Sequence, residues 1–250
     1  MIENDRQMIN ARLYPLGYNG IAILLCLSLY DKIIRSDILH LSNAYSLAKE
    51  FIGIVLNLLR RSSDRIQQAD KSVFVLLYFA DHIQKHVSFD DLKKYVPGPY
   101  GNEHEFQAIR IIEVLSSAAA TCPDSSIRYL LYKLIERFIN SGDDEVRVFF
   151  MHQLLEHCPF PSMNTAAISL LKDQIGNAFK NEHFSIFKSP YVFKNFFPLI
   201  FKLNSDPNSY WENYNYIMQA LNLYYYLLNL DRKKNIVSET KRKEPFLIYL

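Results

Sequence analysis

The sequence of 250 residues has little glycine, few cysteines and no marked excess of charge of either sign. With only 7 glycines, glycine-rich phosphate loops and tight β-turns are not expected, because both need backbone conformations that favour glycine. A net charge of +2 gives no basic excess for neutralising phosphates, which argues against nucleic-acid binding. The three cysteines, Cys26, Cys122 and Cys158, are too few for a disulfide framework and indicate a reducing compartment.

Long hydrophobic runs are also missing. The longest, Ile21 to Leu29, is interrupted by Ser28 and is well short of the roughly 20 residues that cross a bilayer. The first residues contain no apolar segment of the kind found in signal peptides. The sequence therefore predicts a cytoplasmic protein without membrane insertion. Two basic clusters, residues 232–234 and 241–243, add the nucleus as a second compartment, although a solvated linker and helix end explains them better.

No nucleophile, phosphate-loop, dinucleotide or Cys-x-x-Cys motif occurs in the chain. His82 and His86 lie four residues apart, as two metal ligands on one helix face would. Ile83 occupies the place of the glutamate of a zinc-protease helix, and no third ligand is evident nearby. We therefore predict no metal, no cofactor and no catalytic site, and keep a metal-dependent helical enzyme that uses these two histidines as the alternative from another class.

Helical spacing and helix-start signals recur along the chain. After Asp124, apolar residues recur at intervals of three and four, and sustained strand-like alternation is absent. Capping residues precede further helical segments at Ser88, Asn102, Asp143, Ser162, Ser189 and Asp206. The predicted fold class is all-α, a HEAT- or armadillo-like α-solenoid of stacked helical pairs.

The main interruption is VPGPYG, residues 96–101. We predict N-terminal helical pairs in residues 1–95 and a C-terminal helical-repeat segment in residues 102–250. The two segments are interpreted as one continuous solenoid with a break at residues 96–101.

A weak internal repeat supports the solenoid. Cys122-Pro123 and Cys158-Pro159 lie 36 residues apart, each between two predicted helices. This offset aligns Ile127 with Met163, Leu130 with Ala166, Leu131 with Ala167, Leu134 with Leu170, and Ile135 with Leu171. Within the first unit, DSSIR (124–128) and DDEVR (143–147) share an acidic cap followed by an arginine in the first turn. Helical pairs that repeat at this period stack because one pair cannot bury its apolar face alone.

The segment from Tyr210 to Leu230 contains an apolar heptad stripe. Its members are spaced three, four, three, four and three residues apart: Trp211, Tyr214, Met218, Leu221, Tyr225 and Leu228. Ile217, Tyr224 and Leu227 widen it. The favoured interpretation is a helix packed on both sides within the stack. The functional alternative is a partner-binding surface at Trp211, Tyr214, Met218 and Tyr225, because tyrosine and tryptophan combine apolar area with a polar group.

Two stretches resemble the fungal Yap-binding protein and glomulin family. They are HCPFPSMNTAAISLLKDQI (157–175) and FSIFKSPYVFKNFFPLIFKL (184–203), supported upstream by CPDSSIRYLLYKLIERF (122–138). The likeness covers about residues 109–230 and consists of helix-packing residues. It implies an α-solenoid without catalytic activity. The family's motifs mark no partner-binding residue that can be carried over to this chain.

The resemblance implies a non-catalytic protein-interaction adaptor that supports oxidative-stress signalling by scaffolding a transcription factor with its oxidant. The alternative within the family is a glomulin-type regulator that binds a RING or cullin ubiquitin-ligase subunit. The partners are therefore expected to be proteins, with no nucleic acid and no membrane.

Overall fold

The computed structural model describes residues 18–30, 52–60 except 54 and 57, 66–82, 88, 107–202 except 182, 211 and 213–234. Most of these residues are helical, and none of them forms a strand. The eight α-helices with fully described bounds are α1 (Tyr18–Tyr30), α2 (Ile66–His82), α3 (Gln107–Thr121), α4 (Ser125–Asn140), α5 (Asp144–His152), α6 (Pro161–Lys180), α7 (Phe197–Ile200) and α8 (Tyr214–Lys234). The all-α prediction is confirmed.

Two π-helical segments and one short 3-10 helix are also present among the described residues. Residues Gln153–His157, here π1, continue α5, and residues Val192–Phe196, here π2, lead into α7. The 3-10 helix is Ile186–Lys188, and the Ser185 hydroxyl accepts a hydrogen bond from Phe187 N at its start.

The chain forms two compact units, residues 1–150 and residues 151–250. In the first unit α1 packs on α2, α2 packs on α4, and α3 packs on α4. In the second unit α6 packs on α8, on π1 and on the 3-10 helix, while α7 packs on π1 and π2. Within each unit, helices therefore bury their apolar faces against neighbours, as the repeat interpretation requires. The predicted break at residues 96–101 lies outside the described residues, so the predicted division there stays a prediction.

The aspartate caps predicted for α4 and α5 are present. Asp124 Oδ1 accepts hydrogen bonds from Ser126 N at 2.8 Å and Ile127 N at 2.9 Å. Asp143 Oδ1 accepts one from Val146 N at 3.0 Å. Each carboxylate therefore satisfies amide groups that the first turn of a helix leaves without a partner.

The arginine of each motif, DSSIR or DDEVR, donates hydrogen bonds to the turn before its helix, which we call the corner. Arg128 Nη1 donates to the carbonyl oxygens of Cys122 and Pro123, at 2.7 and 2.9 Å. Arg147 Nε donates to the carbonyl oxygen of Gly142 at 3.0 Å. The two corners thus use the same arrangement: an aspartate binds amides ahead of it, and an arginine four residues later binds carbonyls behind it.

The 36-residue alignment matches the burial of α4 and α6. Both helices begin at aligned positions, Ser125 and Pro161. Four aligned pairs are buried in both helices: Ile127 with Met163, Leu131 with Ala167, Leu134 with Leu170, and Ile135 with Leu171. The fifth pair, Leu130 with Ala166, is partly exposed in both.

Two of the other predicted helix starts can be checked. At α6 the predicted cap, Ser162, already lies inside the helix, which begins at Pro161 after Phe160 without a side-chain cap. The reason is that proline at the first helical position needs no hydrogen-bond acceptor for its nitrogen. The Ser189 hydroxyl does accept a hydrogen bond from Tyr191 N, at 3.2 Å, so Ser189 caps the helical segment that begins at Tyr191. The starts predicted at Asn102 and Asp206 fall outside the described residues.

Gly142 lies in the corner between α4 and α5, where the chain has no room for a side chain. A Cβ atom added there would lie 2.7 Å from Val146 Cβ, and Val146 is fully buried. Gly142→Ala is therefore expected to lower the free energy of unfolding by about 1–3 kcal/mol, the usual cost of overpacking. Gly53→Ala is the control, because an added Cβ at helical Gly53 meets nothing within 4 Å and should stabilise by about 0.5–1 kcal/mol. Urea titrations of both variants measure the difference, and equal midpoints would contradict it.

Candidate protein-binding surface

Helix α8 carries five of the six residues of the predicted stripe, and Trp211 lies three residues before its start. The opposite side of the helix faces the core of its unit. Ala220, Leu223 and Leu227 are buried on the core side. Gly176 of α6 lies so close to α8 that an added Cβ would come within 2.8 Å of the hydroxyl oxygen of Tyr226. The absence of a side chain at Gly176 thus leaves room for the tip of the Tyr226 side chain of α8.

Polar contacts fix the rotation of α8 about its axis. The hydroxyl of Tyr216 donates to the carbonyl oxygen of Ile200 at the end of α7, at 3.0 Å, and burial raises the pKa of this phenol. The Ser169 hydroxyl of α6 lies 3.5 Å from Gln219 Oε1 of α8. Because these side chains hold the core side of the helix in place, the stripe is held on the other side.

All six members of the heptad stripe are exposed. We call them the α8 stripe, and their exposed fractions are Trp211 77%, Tyr214 45%, Met218 39%, Leu221 51%, Tyr225 68% and Leu228 50%. Trp211 stacks on Tyr214 with ring centroids 6.5 Å apart. The interpretation favoured from sequence, a helix packed on both sides, therefore does not describe this face of α8. Of the residues expected to widen the stripe, Leu227 is buried, and Ile217 and Tyr224 are half-buried.

The stripe is bordered by amides and lacks charge. Asn215, Asn222 and Asn229 recur every seven residues, each directly after a stripe residue, and Asn229 Nδ2 donates to the carbonyl oxygen of Tyr225 at 2.9 Å. No charged residue occurs from Asn213 to Leu230. Sequence reasoning found the stripe from its spacing but missed this uncharged border, which the same residues display. A surface of this kind recognises apolar and amide groups and offers no site for acid–base chemistry.

His82 and His86 are the candidate ligands of the alternative metal-dependent enzyme. His82 is exposed, its Nδ1 lies 2.9 Å from the carbonyl oxygen of Tyr78, and its ring stacks on Tyr78 at 4.0 Å. His86 lies outside the described residues. Among the residues with described side chains, no three histidine, cysteine or acidic side chains are grouped to hold a metal ion.

The three cysteines are free thiols. Cys122 is buried, whereas Cys26 and Cys158 are half-buried, so the expected burial of Cys26 is only partial. Burial raises the pKa of the Cys158 thiol, an effect that a hydrogen bond from the backbone of Phe160 partly offsets. Burial also raises the pKa of Cys26, with Lys71 lowering it and Asp70 raising it. A thiol with a raised pKa is mostly protonated near neutral pH and is a poor nucleophile.

Comparison with known proteins assigns the chain to a protein family. The sequence model of an uncharacterised protein family described as YAP/Alf4/glomulin matches residues 27–245. The chain belongs to this family. The YAP/Alf4/glomulin match begins well before residue 109, where the resemblance seen in the sequence starts, and it confirms that resemblance. No curated protein matches the chain at a significant level.

Membership of the YAP/Alf4/glomulin family supports a protein-binding role, and the family description names no catalytic activity. Within the described ranges, no helix has both the length and the hydrophobicity needed to span a membrane.

Proposed function

We propose that this chain is a non-catalytic adaptor that binds other proteins, and that the α8 stripe is one of its protein-binding surfaces. The observation that carries the proposal is the exposure of five large apolar side chains in one row on a helix whose opposite side is packed, together with the exposed Trp211 just before it. Single exposed apolar residues are common, whereas contiguous rows mark interaction surfaces. Trp211, Tyr214, Met218 and Tyr225 supply the aromatic and methionine side chains that are enriched in the cores of interfaces.

Affinity purification with matched variants tests the role of the stripe. The tagged chain, Tyr225→Ala and Tyr129→Ala are purified from the same cells and compared by quantitative mass spectrometry. Tyr225 of the stripe and Tyr129 of α4 are similarly exposed, at 68% and 59%, so the two variants lose comparable surface. Proteins lost with Tyr225→Ala and kept with Tyr129→Ala are stripe-dependent partners. If both variants retain every protein bound by wild type, the stripe is not a binding surface.

The finer proposal is a scaffold in oxidative-stress signalling that holds a transcription factor near its oxidant, in the cytoplasm or nucleus. Family membership supports the adaptor role on which it builds, and a scaffold would act by proximity alone, which raises the effective concentration of the two proteins. Purification with and without peroxide tests it, because a scaffold should retain both proteins. Recovery of a RING or cullin subunit instead would favour the glomulin-type regulator.

If the chain is such a scaffold, its own thiols are not expected to relay oxidation. A relay needs an accessible thiolate of low pKa, whereas burial raises the pKa of both Cys26 and Cys158. A variant with Cys26, Cys122 and Cys158 all changed to Ser or Ala should therefore keep partner binding and partner oxidation, once circular dichroism has shown a normal fold. Intact binding with lost oxidation of the partner would assign the reaction to one of these thiols.

A further inference from the structure

We propose that a second copy of this chain packs along the α8 stripe, so that the protein self-associates through α8. The inference rests on the proposed function in one respect, that the stripe is a protein-binding surface. It goes further by naming the occupant.

The first argument is the composition of α8 around its whole circumference. The core side holds Ala220, Leu223 and Leu227, and the opposite side holds the stripe. A helix that is apolar on nearly all sides is normally buried on all sides. From Tyr214 to Leu230 the outer face of α8 has no charged residue, and its polar groups are tyrosine hydroxyls and the row of asparagines, so this part has the composition of an interface. The charged residues of α8, at positions 231–234, lie in its last turn, beyond the stripe.

The spacing of the stripe indicates that its occupant is a helix. Side chains that alternate at three and four residues form the seam along which two helices pack with their side chains interlocked. The row extends from Trp211 to Leu228 without a break in this pattern. A strand or an irregular loop would not match a row of this period over the roughly four helical turns from Tyr214 to Leu228.

The chemistry of the border favours a second copy over a different helix. In a two-fold symmetric interface the same patch meets itself, so a charged patch would repel its copy. From Asn213 to Leu230 the helix has no charge that could repel, and none that could select an oppositely charged partner. Asn215, Asn222 and Asn229 have amides that both donate and accept hydrogen bonds, so this row is complementary to its own copy.

The size of the stripe also fits a dimer. A large side chain presents roughly 150–250 Å² when it is fully exposed. On that scale the exposed fractions of all six stripe residues correspond to an area on the order of 700 Å². A stable interface of ordinary size buries about 800 Å² on each partner. One stripe against its copy therefore comes close to the required area without any other surface.

The only tryptophan of the chain makes this proposal directly measurable. Trp211 belongs to the stripe and is 77% exposed. In the full-length protein, light scattering after size exclusion should give the mass of a dimer, which dissociates on dilution. The fluorescence emission of Trp211 should shift to shorter wavelength as the protein concentration rises through the same range, because dimerisation removes the indole from water.

Leu221→Glu tests whether the stripe is the surface involved. Leu221 is 51% exposed, so the substitution leaves the core of the unit intact, but it would place an unpaired carboxylate inside the dimer seam. The dissociation constant should rise at least about tenfold. Tyr225→Glu serves the same purpose if Leu221→Glu fails to fold, and Tyr129→Glu on α4 is the matched control that should remain dimeric.

Three results would overturn the proposal. One is a monomer at every concentration with the long-wavelength emission of an exposed indole. Another is a monomer whose emission is at short wavelength at every concentration, which would mean that the chain covers its own stripe. The third is a dimer that both glutamate variants leave unchanged. A monomer that still loses partners in the Tyr225→Ala purification would refute the second copy and leave the proposed adaptor function standing.

Discussion

Replacing Leu131 with alanine is expected to lower the free energy of unfolding by about 2–5 kcal/mol, the usual range for a buried leucine. Leu131 of α4 has no exposed surface, and the neighbouring residues cannot fully close the space that its side chain leaves. Since folded domains have only about 5–15 kcal/mol of stability, this single change should move the urea midpoint of the first unit substantially.

The adjacent residue provides the control for this prediction. Leu130 lies one position earlier on the same helix and is 37% exposed, so Leu130→Ala removes the same atoms from a position that water already reaches. Its cost should be about 1 kcal/mol or less, on the area scale for partly exposed apolar groups. Urea unfolding followed by circular dichroism compares the two variants. Equal destabilisation would mean that α4 is rotated from the orientation described here.

Replacing Phe196 with alanine is expected to destabilise the second unit by about 3–5 kcal/mol. Phe196 is fully buried at the end of π2, with its ring 4.5 Å from that of His152 and 6.1 Å from that of Tyr191. The substitution would remove a large apolar side chain and both ring contacts at once. Thermal unfolding should show a lower midpoint for Phe196→Ala than for wild type.

Phe184→Ala is the matched control, because Phe184 is 86% exposed. Exposed substitutions of this kind usually change stability by no more than about 0.5 kcal/mol. The backbone just before Phe184 is held independently of its ring: Lys188 Nζ donates to the carbonyl oxygens of Asn181 and His183, at 2.6 and 2.7 Å. If Phe184→Ala destabilised as much as Phe196→Ala, the described loop conformation would be wrong.

Most of the helical architecture could be predicted from the sequence because helix caps and apolar spacing are local signals. The aspartates at 124 and 143 and the buried positions shared by α4 and α6 needed only residues close in sequence. The π-helical segments π1 and π2 could not be predicted, because hydrogen bonds that span one residue more than in an α-helix leave no distinctive residue pattern.

The candidate surface was predicted only in part for a different reason. Heptad spacing identified the members of the stripe, but spacing alone does not tell an interior seam from an exposed one. That distinction depends on which helices pack on α8. The core side of α8, with Ala220, Leu223 and Leu227, is buried in a unit where α6, a helix distant in sequence, packs on α8. The stripe's role in binding and the division at residues 96–101 stay predictions.

The corners before α4 and α5 have a consequence for how the chain folds. The hydrogen bonds described above for the aspartate and arginine of each corner join residues at most six apart, such as Arg128 and Cys122. Contacts between residues so close in sequence need little loop closure and form early in folding. Each corner can therefore set the direction of the next helix while the chain is still being synthesised, through residues that leave the ribosome close together.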